Sequence, residues 1–224
     1  MSLSDDRLAT LAELGLLAAA LSHELRQPLF AVKSLAQILQ RSSPDQAELT
    51  AQLLGQVAHI ERLVQASSAF ARRGDGVLQP VDPVACVREA MDLVNARARP
   101  RGIELGYEQG PELPAARAHP TAVVQVLVNL LHNAVLSGAR GDHVRVLVSA
   151  QERVHVDVVD SGPGVPVELR ERIFERFFTT RQQGEGTGLG LSLSRQLAQG
   201  MGGELELCPS PAGAHFRLTL ERWS

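Results

Sequence analysis

The chain has 224 residues, 44% of them hydrophobic, and a net charge of -3 from 22 basic and 25 acidic side chains. That length suits one or two modest cores, and the near-neutral balance argues against a nucleic-acid binder or a polybasic membrane-surface protein. The two cysteines, Cys86 and Cys208, lie far apart and outside any C-x-x-C context, which excludes a disulfide framework or thiolate metal site and leads us to expect two reduced, buried thiols.

In chain order, the first long apolar run, Leu14 to Ser22, is too short to cross a bilayer and follows the acidic Asp5 and Asp6, the wrong flank for a signal peptide. A cytoplasmic location without membrane insertion is expected. From about Asp5 to Gln40, leucines and valines recur every three or four residues, at Leu8, Leu11, Leu14, Leu17, Leu21, Leu25, Val32, Leu35 and Leu39, with one gap at Pro28 and Leu29. This predicts one long amphipathic helix. After the turn chemistry of Ser42 to Asp45, the period resumes at Leu49, Leu53, Val57, Ile60 and Val64 and runs to the breaker Arg72 to Gly76. Two helices joined by a short loop make an antiparallel hairpin. Each carries a narrow stripe that one partner cannot cover, so a homodimeric four-helix bundle is expected.

Beyond Gly76 the pattern turns to mixed α and β, with a domain boundary near 73–79 that separates residues 1–75 from 76–224. Helices are predicted over Asp82–Ala98, Thr121–Leu136 and Leu189–Gln199. Strands are predicted over Ile103–Gln109, His143–Gln151, Arg153–Val159, Glu204–Cys208 and His215–Leu220, the second and third forming a hairpin. Ser161 to Gly186 reads as loop.

Four segments carry chemistry. His23 lies on the face of the first helix opposite Leu21 and Leu25, so its imidazole faces water, and most of it is unprotonated near neutral pH. Glu24 can accept the proton of the second ring nitrogen, and Pro28 should bend the helix just below. Asp160-Ser-Gly-Pro-Gly164 follows a strand directly. There a carboxylate can accept from an exocyclic amine while Gly162 and Gly164 let backbone approach a flat ring, although a plain turn would satisfy the composition equally well. Gly184-Glu-Gly-Thr-Gly-Leu-Gly190 opens an apolar helix and could cradle phosphates with free backbone N–H groups, although it fits neither the P-loop nor the dinucleotide fingerprint. Asn129 and Asn133, one turn apart on an apolar helix, offer neutral oxygen ligands suited to Mg²⁺ that already carries phosphate; alternatively they bond each other or a loop.

Taken together, and in this order, the segments resemble the histidine kinases of two-component signalling over nearly the whole chain. Ser22-His23-Glu24-Leu25-Arg26-Gln27-Pro28 is similar to the H box, Asn129 to Ala134 to the N box, and Asp160 to Gly164 to the first glycine box. Ile173 to Phe178 is similar to the F box and Gly184 to Leu191 to the second glycine box. The resemblance implies an α+β fold: a helical dimerisation and phosphotransfer hairpin, then the α/β sandwich of gyrase-type and Hsp90-type ATPases. It implies that His23 accepts phosphate with Glu24 as proton acceptor, that Asn133 helped by Asn129 holds Mg²⁺, and that Asp160 bonds the adenine amine of ATP. It further implies that the Gly184 to Gly190 loop lines the nucleotide through Gly184, Gly186, Thr187, Gly188, Leu189 and Gly190, under a lid running from Phe174 to Gly186. The implied partners are a second copy and the receiver domain of a response regulator.

Two departures stand out. Many members carry lysine where this chain has Leu136, leaving Arg140 or Arg181 as alternative cations, and many carry Thr or Asn where Gln27 stands to orient a dephosphorylating water. No sensor segment is recognised in this sequence, so either an excised core or a separate sensor partner is expected. Two rivals remain open. A hydrolase or serine-directed kinase of the same ATPase superfamily would leave the hairpin idle, and a non-catalytic nucleotide-binding scaffold would leave His23 and Glu24 unexplained.

Overall fold

The computed structural model describes residues 77–175, 178–180 and 188–224, together with helical positions at 29, 30, 32, 34, 36, 38, 50, 53, 57 and 60. By packing, the chain divides into Met1–Gly76 with Phe177–Leu189, and Val77–Arg176 with Gly190–Ser224. His23, Glu24, Gln27, Gly184, Gly186, Thr187 and Arg181 lie outside the described residues.

In the first unit Leu29 and Ala36 are buried, as are Thr50 and Val57, and Leu29 packs with Val57. Both buried pairs are seven residues apart, as expected for two helices meeting along a heptad seam. One partner does not cover the predicted stripe: Val32, Leu53 and Ile60 are not buried, and Leu53 and Ile60 remain 42% and 41% exposed. The reason is geometric. A helix partner covers one edge of an apolar stripe, and residues on the other edge are left to a second surface.

The second unit is a five-stranded sheet with helices on one face and a separate two-stranded pair. A short strand β1 (Gln79–Val81) leads into helix α1 (Pro83–Arg101). Asp82 caps this helix, its Oδ1 accepting from the Val84 N–H at 2.9 Å, and Pro83 fits the first helical position, where no N–H is needed. Such a cap contributes about 1 kcal/mol. Gly102 ends the helix at φ 68°, a left-handed conformation that suits glycine, and the Ile103 N–H returns to the Ala98 carbonyl. Strands β2 (Glu104–Gln109) and β3 (Ala116–Ala118) follow, then helix α2 (Pro120–Ser137). α2 is the one described helix long and apolar enough to cross a membrane, yet it is a core helix that buries Val123, Leu127, Leu130, Leu131 and Val135.

Strands β4 (His143–Ala150) and β5 (Val154–Asp160) form the expected antiparallel hairpin, and two 3₁₀ turns, Val167–Leu169 and Arg172–Phe174, occupy the segment read as loop. Helix α3 (Gly190–Gly200) and strands β6 (Glu204–Cys208) and β7 (His215–Leu220) complete the unit. The main sheet has the order β2-β4-β5-β7-β6, with only the β2–β4 pair parallel; β1 and β3 make a separate antiparallel pair. Valines 144, 146, 148, 154, 156 and 158 with Leu205, Leu218 and Leu220 form the helix-facing side.

On the opposite side of the sheet Asp157 is only 4% exposed, held by Arg217 Nε at 2.7 Å and His215 Nε2 at 2.6 Å. Arg217 is its register partner across the strands, so the charge is compensated where it is buried. The cysteines divide. Cys86 is buried, and desolvation, with Glu89 and Asp82 nearby, pushes its thiol up to about 11. Cys208, expected to be buried, is half-exposed because it ends the edge strand β6 on the open side of the sheet.

Candidate nucleotide site

The site is built where β5, α2 and α3 end or begin. Asp160 is the last residue of β5 and 9% exposed. Its backbone N–H donates to the Ala214 carbonyl, while its Oδ1 accepts from the N–H groups of Ala214 and Gly162, each at 3.0 Å. Both bonds fall on one oxygen. Among the described residues Oδ2 has no partner, so a largely buried acceptor is left unused. Burial raises the Asp160 pKa; the two N–H groups oppose that shift and the Asp142 charge adds to it.

Of the glycines, Gly164 meets the protein's own backbone, and Gly213 joins it there. Gly164 has φ 74°, and a Cβ there would stand 2.8 Å from the Gly213 carbonyl oxygen. Gly213, in the β6–β7 loop, has φ 70°, and a Cβ on it would run into the Asp160 carbonyl. Gly213 and Ala214 are thus part of the seat of Asp160. Sequence reasoning missed them because they lie more than fifty residues away and only the β5–β7 pairing brings them there.

Asn129 half-faces α3. Its Nδ2 donates to the buried Ser194 Oγ at 3.0 Å, and a Cβ on Gly190 would collide with its amide, so glycine is required where helix α3 starts. The two lie at one place: an amide oxygen beside a helix N-terminus. Gly188 precedes it at φ 63°. Asn133 sits one turn beyond Asn129 on α2, half-buried. Among the described residues no three His, Cys, Asp or Glu side chains cluster for a metal, so a cation here would rely on neutral amide oxygens and the phosphates themselves. That donor set fits Mg²⁺.

Phe174 is placed apart from these groups. Its ring packs edge-on to Phe216 at 6.3 Å, and the Arg195 guanidinium lies 3.5 Å over its centre. It borders a cavity of about 370 Å³ with Arg170, Glu171, Glu204 and Glu206, which shares no residue with the Asp160 and Asn129 groups. Arg140, considered as a replacement cation, has its stem against Gly102 at the end of α1.

This arrangement offers an acceptor for an amine on a flat ring at one end, and amide oxygens and helix N–H groups at the other. Residues 118–224 match the family model of histidine kinase-, DNA gyrase B- and HSP90-like ATPases, and residues 13–76 match the His Kinase A (phospho-acceptor) domain. The sensor histidine kinase ZraS of Escherichia coli O157:H7 is 34% identical over 217 residues, which is 94% of this chain and 46% of that protein. The chain therefore spans less than half the length of that relative. Among solved structures, full-length ShkA in complex with AMPPNP matches 92% of this chain and 46% of its own at 32% identity and a TM-score of 0.71. The catalytic domain of histidine kinase ThkA matches 65% of this chain and 95% of its own at 31% identity and a TM-score of 0.59. Two adjacent family models and a solved catalytic domain covered almost end to end lead to one assignment: the chain belongs to the histidine kinases of two-component signalling, as a phospho-acceptor region followed by an ATPase-type catalytic domain.

Proposed function

We propose that this chain is the ATP-dependent autokinase core of a two-component system: it phosphorylates its own His23 and passes the phosphoryl group to an aspartate of a response regulator. The observation that carries the nucleotide half is the Oδ2 of the buried Asp160, which has no partner among the described residues and is an acceptor suited to the adenine amine. The match of residues 13–76 to the phospho-acceptor family supports the other half.

In the proposed reaction a ring nitrogen of His23 attacks the γ-phosphorus in line. A P–N bond forms, the bond to the bridging oxygen breaks, and ADP leaves with the electron pair. Glu24 accepts the proton from the other ring nitrogen as positive charge develops there. Bound Mg²⁺ supplies neutralisation of the phosphate charge. Asn133, with Asn129, holds that ion through amide oxygens, and Ser194 fixes the Asn129 amide. Gly184, Gly186, Thr187, Gly188, Leu189 and Gly190 line the phosphates, and the segment from Phe174 to Gly186 closes over them, its base fixed by Arg195 and Phe216. Gln27 orients the water that later removes phosphate from the regulator. Residues 1–75 serve dimerisation and phosphotransfer and 76–224 serve catalysis, in the cytoplasm where ATP is available, with a sensor module as a further partner and without nucleic-acid or membrane binding.

Asn133→Ala is expected to lower ATP affinity roughly tenfold in the presence of Mg²⁺ and to leave affinity in EDTA unchanged. Isothermal titration under both conditions checks this; an equal affinity with Mg²⁺ present would show the metal to be held elsewhere.

Dimerisation is proposed to use the exposed edge of the helical stripe. Leu53 and Ile60 lie seven residues apart with Val32 also exposed, as an a/d seam facing a second copy requires. Leu53→Asp combined with Ile60→Asp should convert the dimer to monomer in light-scattering chromatography while ATP binding persists. A double variant that elutes as a dimer would place the interface on another face.

A further inference from the structure

What aims the free oxygen of Asp160 has two parts of unequal rigidity. Oδ1 is held by the Ala214 N–H, from the residue just before β7 whose carbonyl also takes the Asp160 N–H, and by the Gly162 N–H, which belongs to a loop with no such return bond to Asp160. The second anchor is only as fixed as the turn that carries it.

That turn is fastened by a side-chain relay from the far side. Ser161 Oγ donates to Asp142 Oδ1 at 3.1 Å and accepts from the His143 N–H at 3.0 Å. Asp142 spends its other oxygen on the Ala139 N–H at 2.7 Å, just past the end of α2. The Ser161 N–H also returns to the His143 carbonyl at 3.1 Å. Gly162 packs on the same end of α2, since a Cβ there would stand 3.7 Å from the Ser137 carbonyl oxygen and 3.9 Å from the Gly138 Cα. One carboxylate and one hydroxyl therefore tie together the end of the asparagine-bearing helix, the start of β4 and the turn that supplies a donor to Asp160. Both oxygens of Asp142 take part in this relay, and the Ser161 hydroxyl both donates and accepts within it, which fixes its rotamer.

We propose that Asp142 and Ser161 are positioning residues for nucleobase recognition, holding the 161–162 turn so that Asp160 Oδ2 stays aimed at the exocyclic amine of an adenine nucleotide. The proposal rests on the assignment of Asp160 as the base-reading group. Neither residue touches the base. Their effect is on direction, so it falls on ligands that carry the amine and spares those that do not.

The discriminating pair is ATP and inosine triphosphate, which differ in that the purine carries an amine or a carbonyl at the position Asp160 meets. With the full chain, wild type should prefer ATP. Ser161→Ala and Asp142→Asn should each reduce that preference about tenfold by weakening ATP alone, and Ser161→Thr, which keeps the hydroxyl, should retain it. Equal weakening of both nucleotides by Ser161→Ala would indicate general loop damage and overturn the proposal, as would a preference that survives Ser161→Ala or is lost in Ser161→Thr. Two outcomes reach deeper: a wild type that binds both nucleotides equally, or a preference untouched by Asp160→Asn. Either would reject the base-reading role of Asp160 and the proposal with it. Asp160→Asn sensitivity together with Ser161→Ala insensitivity would reject the proposal alone.

Discussion

His23→Ala abolishes incorporation of the γ-phosphate of ATP into the protein and leaves ATP affinity within about twofold of wild type. The expectation rests on a division of labour. The nucleotide groups Asp160, Asn129 and Gly190 belong to the unit Val77–Arg176 with Gly190–Ser224, and residue 23 belongs to the other unit. Alanine removes the ring nitrogen that the proposed reaction uses as nucleophile. Radiolabelling and a nucleotide titration on the same preparation check both halves. Loss of labelling together with loss of affinity would mean the two functions are not separable in this way, and persistent labelling would place the acceptor elsewhere.

The second large effect concerns Asp160. Asparagine at this position can still accept from the Gly162 and Ala214 N–H groups through Oδ1, but it puts an NH₂ group where the partnerless oxygen stood. Two donors then face each other, so ATP affinity should fall roughly 10- to 100-fold. The pH dependence carries a sign. Because burial raises the Asp160 pKa, its proton is gained at a higher pH than for an exposed aspartate, and ATP affinity declines on acidification through that raised value. In Asp160→Asn this acid limb disappears.

The same shift bears on stability. With the folded pKa above the unfolded one, the ionised carboxylate costs nothing below the unfolded value. The cost grows as pH rises between the two values and is constant above the folded one. Asp160→Asn should therefore leave the nucleotide-free protein as stable as wild type at neutral pH, or more so, while it binds ATP poorly. Thermal melts with and without nucleotide check this. A variant that loses stability and affinity in proportion would assign Asp160 a structural role only.

What the sequence disclosed and what it concealed divide along one physical line. Periodic patterns were legible: Glu204–Cys208 and His215–Leu220 were predicted residue for residue, and the ends of the two longer helices of the second unit lie within three residues of expectation. Asp160 followed by Gly162 is a local turn that the sequence displays, whereas Asn129 meets Gly190 only through the packing of α2 on α3. The pair β1–β3 was not foreseen, since three-residue strands, one containing Pro80, carry no period. Nor was any partner supplied through tertiary pairing: Ala214 and Gly213 under Asp160, Ser194 behind Asn129, and the Arg195–Phe174 stack. The apolar stripe of the first unit was legible as one that a single partner does not cover, but not which of its residues, Leu53 and Ile60 among them, stay exposed.

The identity of the phosphorylated atom tests the account most directly. Incubation with γ-labelled ATP, followed by acid and base treatment and peptide mapping, should give a phosphate that is lost in acid, survives base and maps to His23, as a phosphoramidate does. An acid-stable phosphate on a serine or threonine, or release of inorganic phosphate with no labelled protein, would contradict it.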